Sequence, residues 1–137
     1  MKKLVVLVTL LFVSITFAQE ETPVDVPKIA VKIPLGETVQ IADVTIRFVE
    51  VLEDSRCPTN VTCVWAGEAR IVLEMSAANG QSERKEVTLK GQVPPSEMIH
   101  TIFKDSDLHL YIMALNPYPT SALGGEQPNY TLLVCHE

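Results

Sequence analysis

The sequence predicts an all-β fold, an antiparallel β-sandwich of about seven or eight strands, with a small β-barrel as the alternative. Three observations point there. Apolar and polar residues alternate in many short runs, the period of a half-buried strand. Clusters of Pro, Gly, Asn, Asp and Ser separate those runs. Beyond the N-terminal segment no stretch keeps a 3.6-residue apolar period for three turns, so no helix is expected. Strands of this number and spacing suit two packed sheets. Local alternation fits a closed barrel equally well.

The N-terminus reads as a cleavable secretory signal over residues 1–18. Met1, Lys2 and Lys3 precede an apolar run from Leu4 to Val13, broken by Thr9, and small residues stand at Thr16 and Ala18 before polar Gln19 and Glu20. A bilayer span takes about 20 apolar residues, more than this run supplies. No cysteine follows Ala18 to carry a lipid. The exported product is therefore expected to enter no membrane after cleavage. Residues 19–28, with Glu20, Glu21, Pro23, Asp25 and Pro27, form an expected flexible leader. Residues 29–137 suit a single β domain.

Ile29, Val31 and Ile33 alternate with Ala30 and Lys32 as a first strand, turned by Pro34-Leu35-Gly36. Val39 and Ile41 mark a second, and Ala42-Asp43 a tight connection. Val44, Ile46 and Phe48 share one face, but Val49 and Val51 fall on the other parity. One inserted residue restores them to the core, which predicts a β-bulge near Phe48 and Val49. Residues 54–62 are turn-forming in composition. Cys63, Trp65, Ala69, Ile71, Leu73 and Met75 share a parity and read as one strand, with Trp65, the single tryptophan, as a core anchor. Gly67 within that run marks a bulge or a close backbone approach.

Ala78-Asn79-Gly80 is a hairpin signal. Glu83 to Lys90 alternates Val87 and Leu89 with charged and polar residues, the pattern of an edge strand. After Pro94-Pro95, the runs Met98 to Phe103 and Leu108 to Leu115 flank Lys104-Asp105-Ser106-Asp107 as another hairpin. Leu108 to Leu115 is apolar on both faces and belongs inside a sheet. Asn116 to Pro128 is the longest segment without strand pattern and is expected as a surface loop. Tyr130, Leu132 and Val134, backed by Thr131, Leu133 and Cys135, close the domain.

Charge and chemistry exclude more than they assign. Loss of Lys2 and Lys3 moves the formal charge from −6 to −8. An acidic chain without a basic cluster is repelled by nucleic acid and anionic lipid, so nucleic acid is not an expected partner. No nucleophile stands in a local catalytic signature, no metal-ligand spacing is present, and no nucleotide-binding loop occurs. An enzyme is not expected, nor a cofactor. The acid pairs Glu53-Asp54 and Asp105 with Asp107 lie in turns, where carboxylates usually face water. His109, Cys135 and His136 are the weak candidates for a metal, although Cys135 and His136 point to opposite faces of any strand that holds both.

Cys57, Cys63 and Cys135 are the three cysteines. Export favours pairing, and Cys57 with Cys63 closes a short loop that a turn can accommodate. Cys135 competes if the last strand lies beside that loop. Arg56 and Pro58 in the loop, with Asn116 and Tyr118 in the long loop, are the candidate recognition residues. Arg56 is the least explained by folding. It either pairs with Glu53, Glu68 or another acid, or points outward to a partner.

The run from Glu53 to Ala69, EDSRCPTNVTCVWAGEA, resembles an uncharacterised family of secreted bacterial proteins with a D-S-R-C-P, then C-x-W-A-G block. Asn116-Pro117-Tyr118-Pro119 and Tyr130-Thr131-Leu132 also resemble it. The resemblance implies only a small exported β domain and supplies no activity. The expected function is a binding module that presents loops from a β scaffold to a protein partner. A loop-inserting protease inhibitor is one concrete version, and a metal-binding protein is the alternative.

Overall fold

The alternating runs fold as eight strands in a computed structural model that describes residues 29–94, 97, 99–121 and 128–137. The expected signal and leader, residues 1–28, lie outside the described residues. The strands are β1 (Ala30–Pro34), β2 (Thr38–Ile41), β3 (Val44–Asp54), β4 (Glu68–Ala77), β5 (Ser82–Lys90), β6 (His100–Lys104), β7 (His109–Asn116) and β8 (Thr131–His136). They form two antiparallel sheets of four, in the orders β1-β8-β7-β6 and β2-β3-β4-β5. The fold is a sandwich rather than a closed barrel.

Period-two alternation puts one face of each strand into a shared core. Ile46 lies opposite Met75 and Phe48 opposite Leu73 in one sheet, and Ile112 opposite Val134 and Leu115 opposite Leu132 in the other. All eight are buried. Burying a large aliphatic or aromatic side chain is worth about 1.5–3 kcal/mol, so this layer supplies the main cohesion. β7 lies inside its sheet, and β5 is an edge strand, as their compositions predict.

Bulges decide which side chains reach the core. The register of β3 slips between Phe48 and Glu50, so Val49 is the extra residue and Val51, opposite Ile71, returns inward. A second slip between Val51 and Glu53, which the sequence pattern does not predict, makes Leu52 the extra residue. Glu53 then faces outward opposite Arg70, and Asp54 faces inward opposite Ala69. Exposure of Leu52 accompanies that inward turn of a carboxylate.

Two expectations are corrected here. The strand expected from Cys63 begins only at Glu68, because Gly67 adopts a left-handed φ of +68° that breaks the parity running back from Ala69. Trp65 is therefore not a core anchor: it is 80% exposed, and neighbouring Val64 is 96% exposed. Cys135, on the last strand, is fully buried.

Candidate functional site

Residues 55–67 leave the sandwich at the end of β3 and return at the start of β4. Cys57 and Cys63 are disulfide-bonded with their Cα atoms 5.9 Å apart. The bond fits a chain that folds in a non-reducing, exported environment, and among the described residues no helix is long and apolar enough to cross a membrane. Backbone pairing continues under the loop: Ser55 N–H donates to Glu68 O at 2.8 Å, Cys57 N–H to Ala66 O at 2.8 Å, and Gly91 N–H to Gly67 O at 2.9 Å. These contacts demand glycine. A Cβ on Gly67 would stand 1.9 Å from Ser55 O, and one on Gly91 would stand 2.4 Å from Ala66 O.

Arg56 anchors the loop from inside. Its Nε and Nη2 donate to Asp54 Oδ1 and Oδ2 at 2.8 and 2.7 Å, a side-on bidentate pair. Nη1 donates to Leu115 O at 2.8 Å and Nη2 also reaches Pro117 O at 3.2 Å. The guanidinium carbon lies 4.7 Å from the centroid of the Tyr118 ring, within cation–π range. Tyr130 donates its hydroxyl to Asp54 Oδ2 at 3.0 Å. Burial, reinforced by the Asp54 charge, pushes the Tyr130 phenol up to about 12.

This arrangement settles the two readings of Arg56. It is 5% exposed and takes the inward, paired alternative, so it offers no group to a partner. Asp54 is likewise no solvated turn acid, since its side chain is 7% exposed. An ion pair taken out of water is tolerated when its remaining hydrogen-bonding capacity is met, and here Leu115, Pro117 and Tyr130 meet it.

The long loop docks against the bridged loop. Asn116 and Pro117 are joined by a cis peptide bond, and Asn116 is exposed. Tyr118 packs on Arg56, and its hydroxyl is buried without a hydrogen-bond partner among the described residues. Thr59 N–H donates to Pro119 O at 3.2 Å, and Ser121 N–H to Asn60 Oδ1 at 3.0 Å. Asn60 Nδ2 also meets Ser121 Oγ. Pro58 is only partly exposed. Of the four candidate recognition residues, Arg56 and Tyr118 thus form the foundation of the loop, and Pro58 and Asn116 its margin.

No protein-family model, curated protein or solved structure matches the chain.

Alternation does not reveal the exposed apolar residues of this segment. Val61, Val64 and Trp65 are exposed together on a segment that carries no charged side chain from Cys57 to Ala66. Three large apolar residues in a loop otherwise made of Pro, Thr, Asn, Cys and Ala are the signal that could have found them. A solvated loop has no need of them.

His109, Cys135 and His136 lie at the far end of the other sheet. His136 is opposite Leu110 on the core side, whereas Cys135 is opposite Tyr111 on the outer side. His109 Nε2 is 2.9 Å from Thr101 Oγ1, and its Nδ1 is 4.0 Å from a Glu137 carboxylate oxygen. Cys135 Sγ contacts Met113 Sδ at 3.6 Å. Among the described residues no group of three His, Cys, Asp or Glu side chains converges on one point. The three candidates, and Arg56, do not form one site.

Proposed function

We propose that the protein is an exported, non-catalytic binding module, acting in the periplasm or outside the cell, whose contact element is the bridged loop with the exposed Val64 and Trp65 beside it. One observation carries this reading. The only tryptophan of the chain stands 80% exposed on a loop whose backbone is held by a disulfide, a buried Arg56 and two glycine contacts.

Tryptophan is enriched among residues that dominate binding energy at protein interfaces. A pre-ordered loop also avoids the entropy loss that a mobile one would incur on binding. The resemblance to a family of small exported β domains agrees with an exported module. Catalysis draws no support from the cluster beneath the loop, because both oxygens of Asp54 are engaged by Arg56 and Tyr130. Loop insertion into a protease cleft is one form that the contact can take.

The test uses the folded domain as bait in the native extracellular fraction, followed by titration of the recovered protein in pure form. Trp65→Ala is expected to weaken the measured affinity by about thirtyfold or more, the loss typical of a central aromatic contact. Because Trp65 is the sole tryptophan, its emission should also shift to the blue on binding. Equal affinity for wild type and Trp65→Ala would sink the reading.

A further inference from the structure

The end of the sandwich opposite Trp65 holds a cleft between the two sheets. Three hairpin connections rim it: Ala42-Asp43 between β2 and β3, the turn at Asn79-Gly80 between β4 and β5, and residues 105–108 between β6 and β7. Two lobes, of about 580 and 360 Å³, share Val44, Ala77, Asn79, Phe103 and Asp105 in their linings, so they adjoin. Both volumes fall in the range of small-molecule sites, about 300–1,000 Å³.

Apolar and polar groups are segregated within it. The floor is made of Val44, Met75 and Ile102, which are buried core residues, with Phe103 and Leu108 packed against the core. The rim carries four carboxylates, Glu83 beside the larger lobe, Asp43 and Asp107 beside the smaller, and Asp105 beside both. None of the four takes part in an ion pair among the described residues. No Lys or Arg lines either lobe among the described residues. The basic neighbours are engaged: Lys85, on the same face of β5 as Glu83, donates to Ile102 O at 3.3 Å behind the larger lobe, Arg84 pairs with Glu50 at 2.6 Å, and Lys104 is in register with His109 on the outer face.

We propose that this cleft binds a small cationic amphiphile, an alkyl- or arylammonium whose hydrocarbon body lies on the Val44-Met75-Phe103 floor and whose charged head meets the carboxylate rim. The charge pattern selects the ligand. An apolar floor alone accepts any hydrocarbon, but four carboxylates outside any ion pair, of which, among the described residues, Asp105 and Asp107 accept only from Ser106, disfavour an anionic head and attract a cationic one. The site is independent of the Trp65 loop: β3 joins the two ends, and its 11 residues span roughly 30 Å at the usual rise of a strand.

Calorimetric titration of the whole domain with octylammonium, octanol, octyl sulfate and spermidine separates the contributions. Octylammonium is expected to bind saturably at one site, about fivefold or more tighter than octanol, with no saturable binding of octyl sulfate or of spermidine, which has charge without an apolar body. The rim variant Glu83→Gln/Asp105→Asn should remove the advantage over octanol and leave octanol unchanged. Ala77→Phe, which fills the shared part of the cleft, should abolish both. Trp65→Ala should bind octylammonium like wild type, so failure here and failure of the loop reading are distinguishable. Equal affinities for octylammonium and octanol, tight binding of octyl sulfate, or full binding by the rim variant would each overturn the proposal. Because the rim residues are exposed, that variant remains informative if Ala77→Phe does not fold.

Discussion

Tyr130 and Arg56 meet on one oxygen of Asp54. The Tyr130 hydroxyl reaches Oδ2 at 3.0 Å and Arg56 Nη2 reaches the same atom at 2.7 Å. The carboxylate joins the end of β3, the bridged loop and the approach to β8, three parts of the chain far apart in sequence. Its removal should be felt by the whole domain.

Asp54→Asn keeps the shape but leaves the buried guanidinium uncompensated. Loss of one partner from a buried pair costs about 3–5 kcal/mol, and urea unfolding should show a loss of that order. Replacing both partners, as in Asp54→Asn/Arg56→Met, removes the stranded charge and should recover part of the loss. A double variant no more stable than Asp54→Asn would mean that the ion pair is not the origin of the effect.

The pH dependence of stability should carry the mark of Tyr130. Its phenol titrates at about 12 in the folded chain, against about 10 when unfolded. The neutral form is thus favoured by folding, so the contribution is fully present below pH 10 and is lost as pH rises through 12. Tyr130→Phe should be less stable at pH 8 but should lack this component of the alkaline decline. Parallel stability curves for the two proteins between pH 9 and 12 would contradict the assignment.

Gly67 tests the close approach of the two legs of the loop. Gly67→Ala adds a methyl group 1.9 Å from Ser55 O at a φ of +68°. Left-handed strain together with a forced backbone shift should destabilise the domain by at least about 2 kcal/mol. Amide exchange should accelerate at Ser55 and Cys57, whose hydrogen bonds cross the same gap. A thermal midpoint unchanged from wild type would show that the loop shifts freely.

The disulfide and the tryptophan should separate stability from recognition. Cys57→Ser/Cys63→Ser should lose about 2 kcal/mol, the chain-entropy value for so short a loop. Trp65→Ala, at an exposed position, should change stability by less than about 0.5 kcal/mol. Calorimetric unfolding of both variants measures this contrast. A large loss for Trp65→Ala would mean that its ring supports the fold.

The sequence reveals the sandwich more readily than the site, for a physical reason. The bulge at Val49 is legible because apolar Val51 must regain the core, and periodicity records that requirement. The slip at Leu52 restores only Asp54, an acid, and hydrophobic parity is silent about a polar residue turned inward. What could have exposed it is Asp54 standing two residues before an arginine that lacks another role. Trp65 misleads in the opposite sense, because its parity with Ala69 and Ile71 is correct along the chain but ends at the left-handed Gly67. The pairing of Cys57 with Cys63 is legible because only a short turn separates them.

The ammonium of Lys85 on β5 is bonded to the carbonyl of Ile102 in the bulge of β6. These are the outer strands of the two sheets on one side of the sandwich. Each sheet therefore blunts the strip on which a foreign strand would otherwise add to its neighbour. On the other side, β1 and β2 are only five and four residues long and are joined through the turn at Gly36. Both flanks are thus poorly suited to lateral zippering, which leaves the loops at the ends of the sandwich, rather than its strand edges, as the surfaces offered to other molecules.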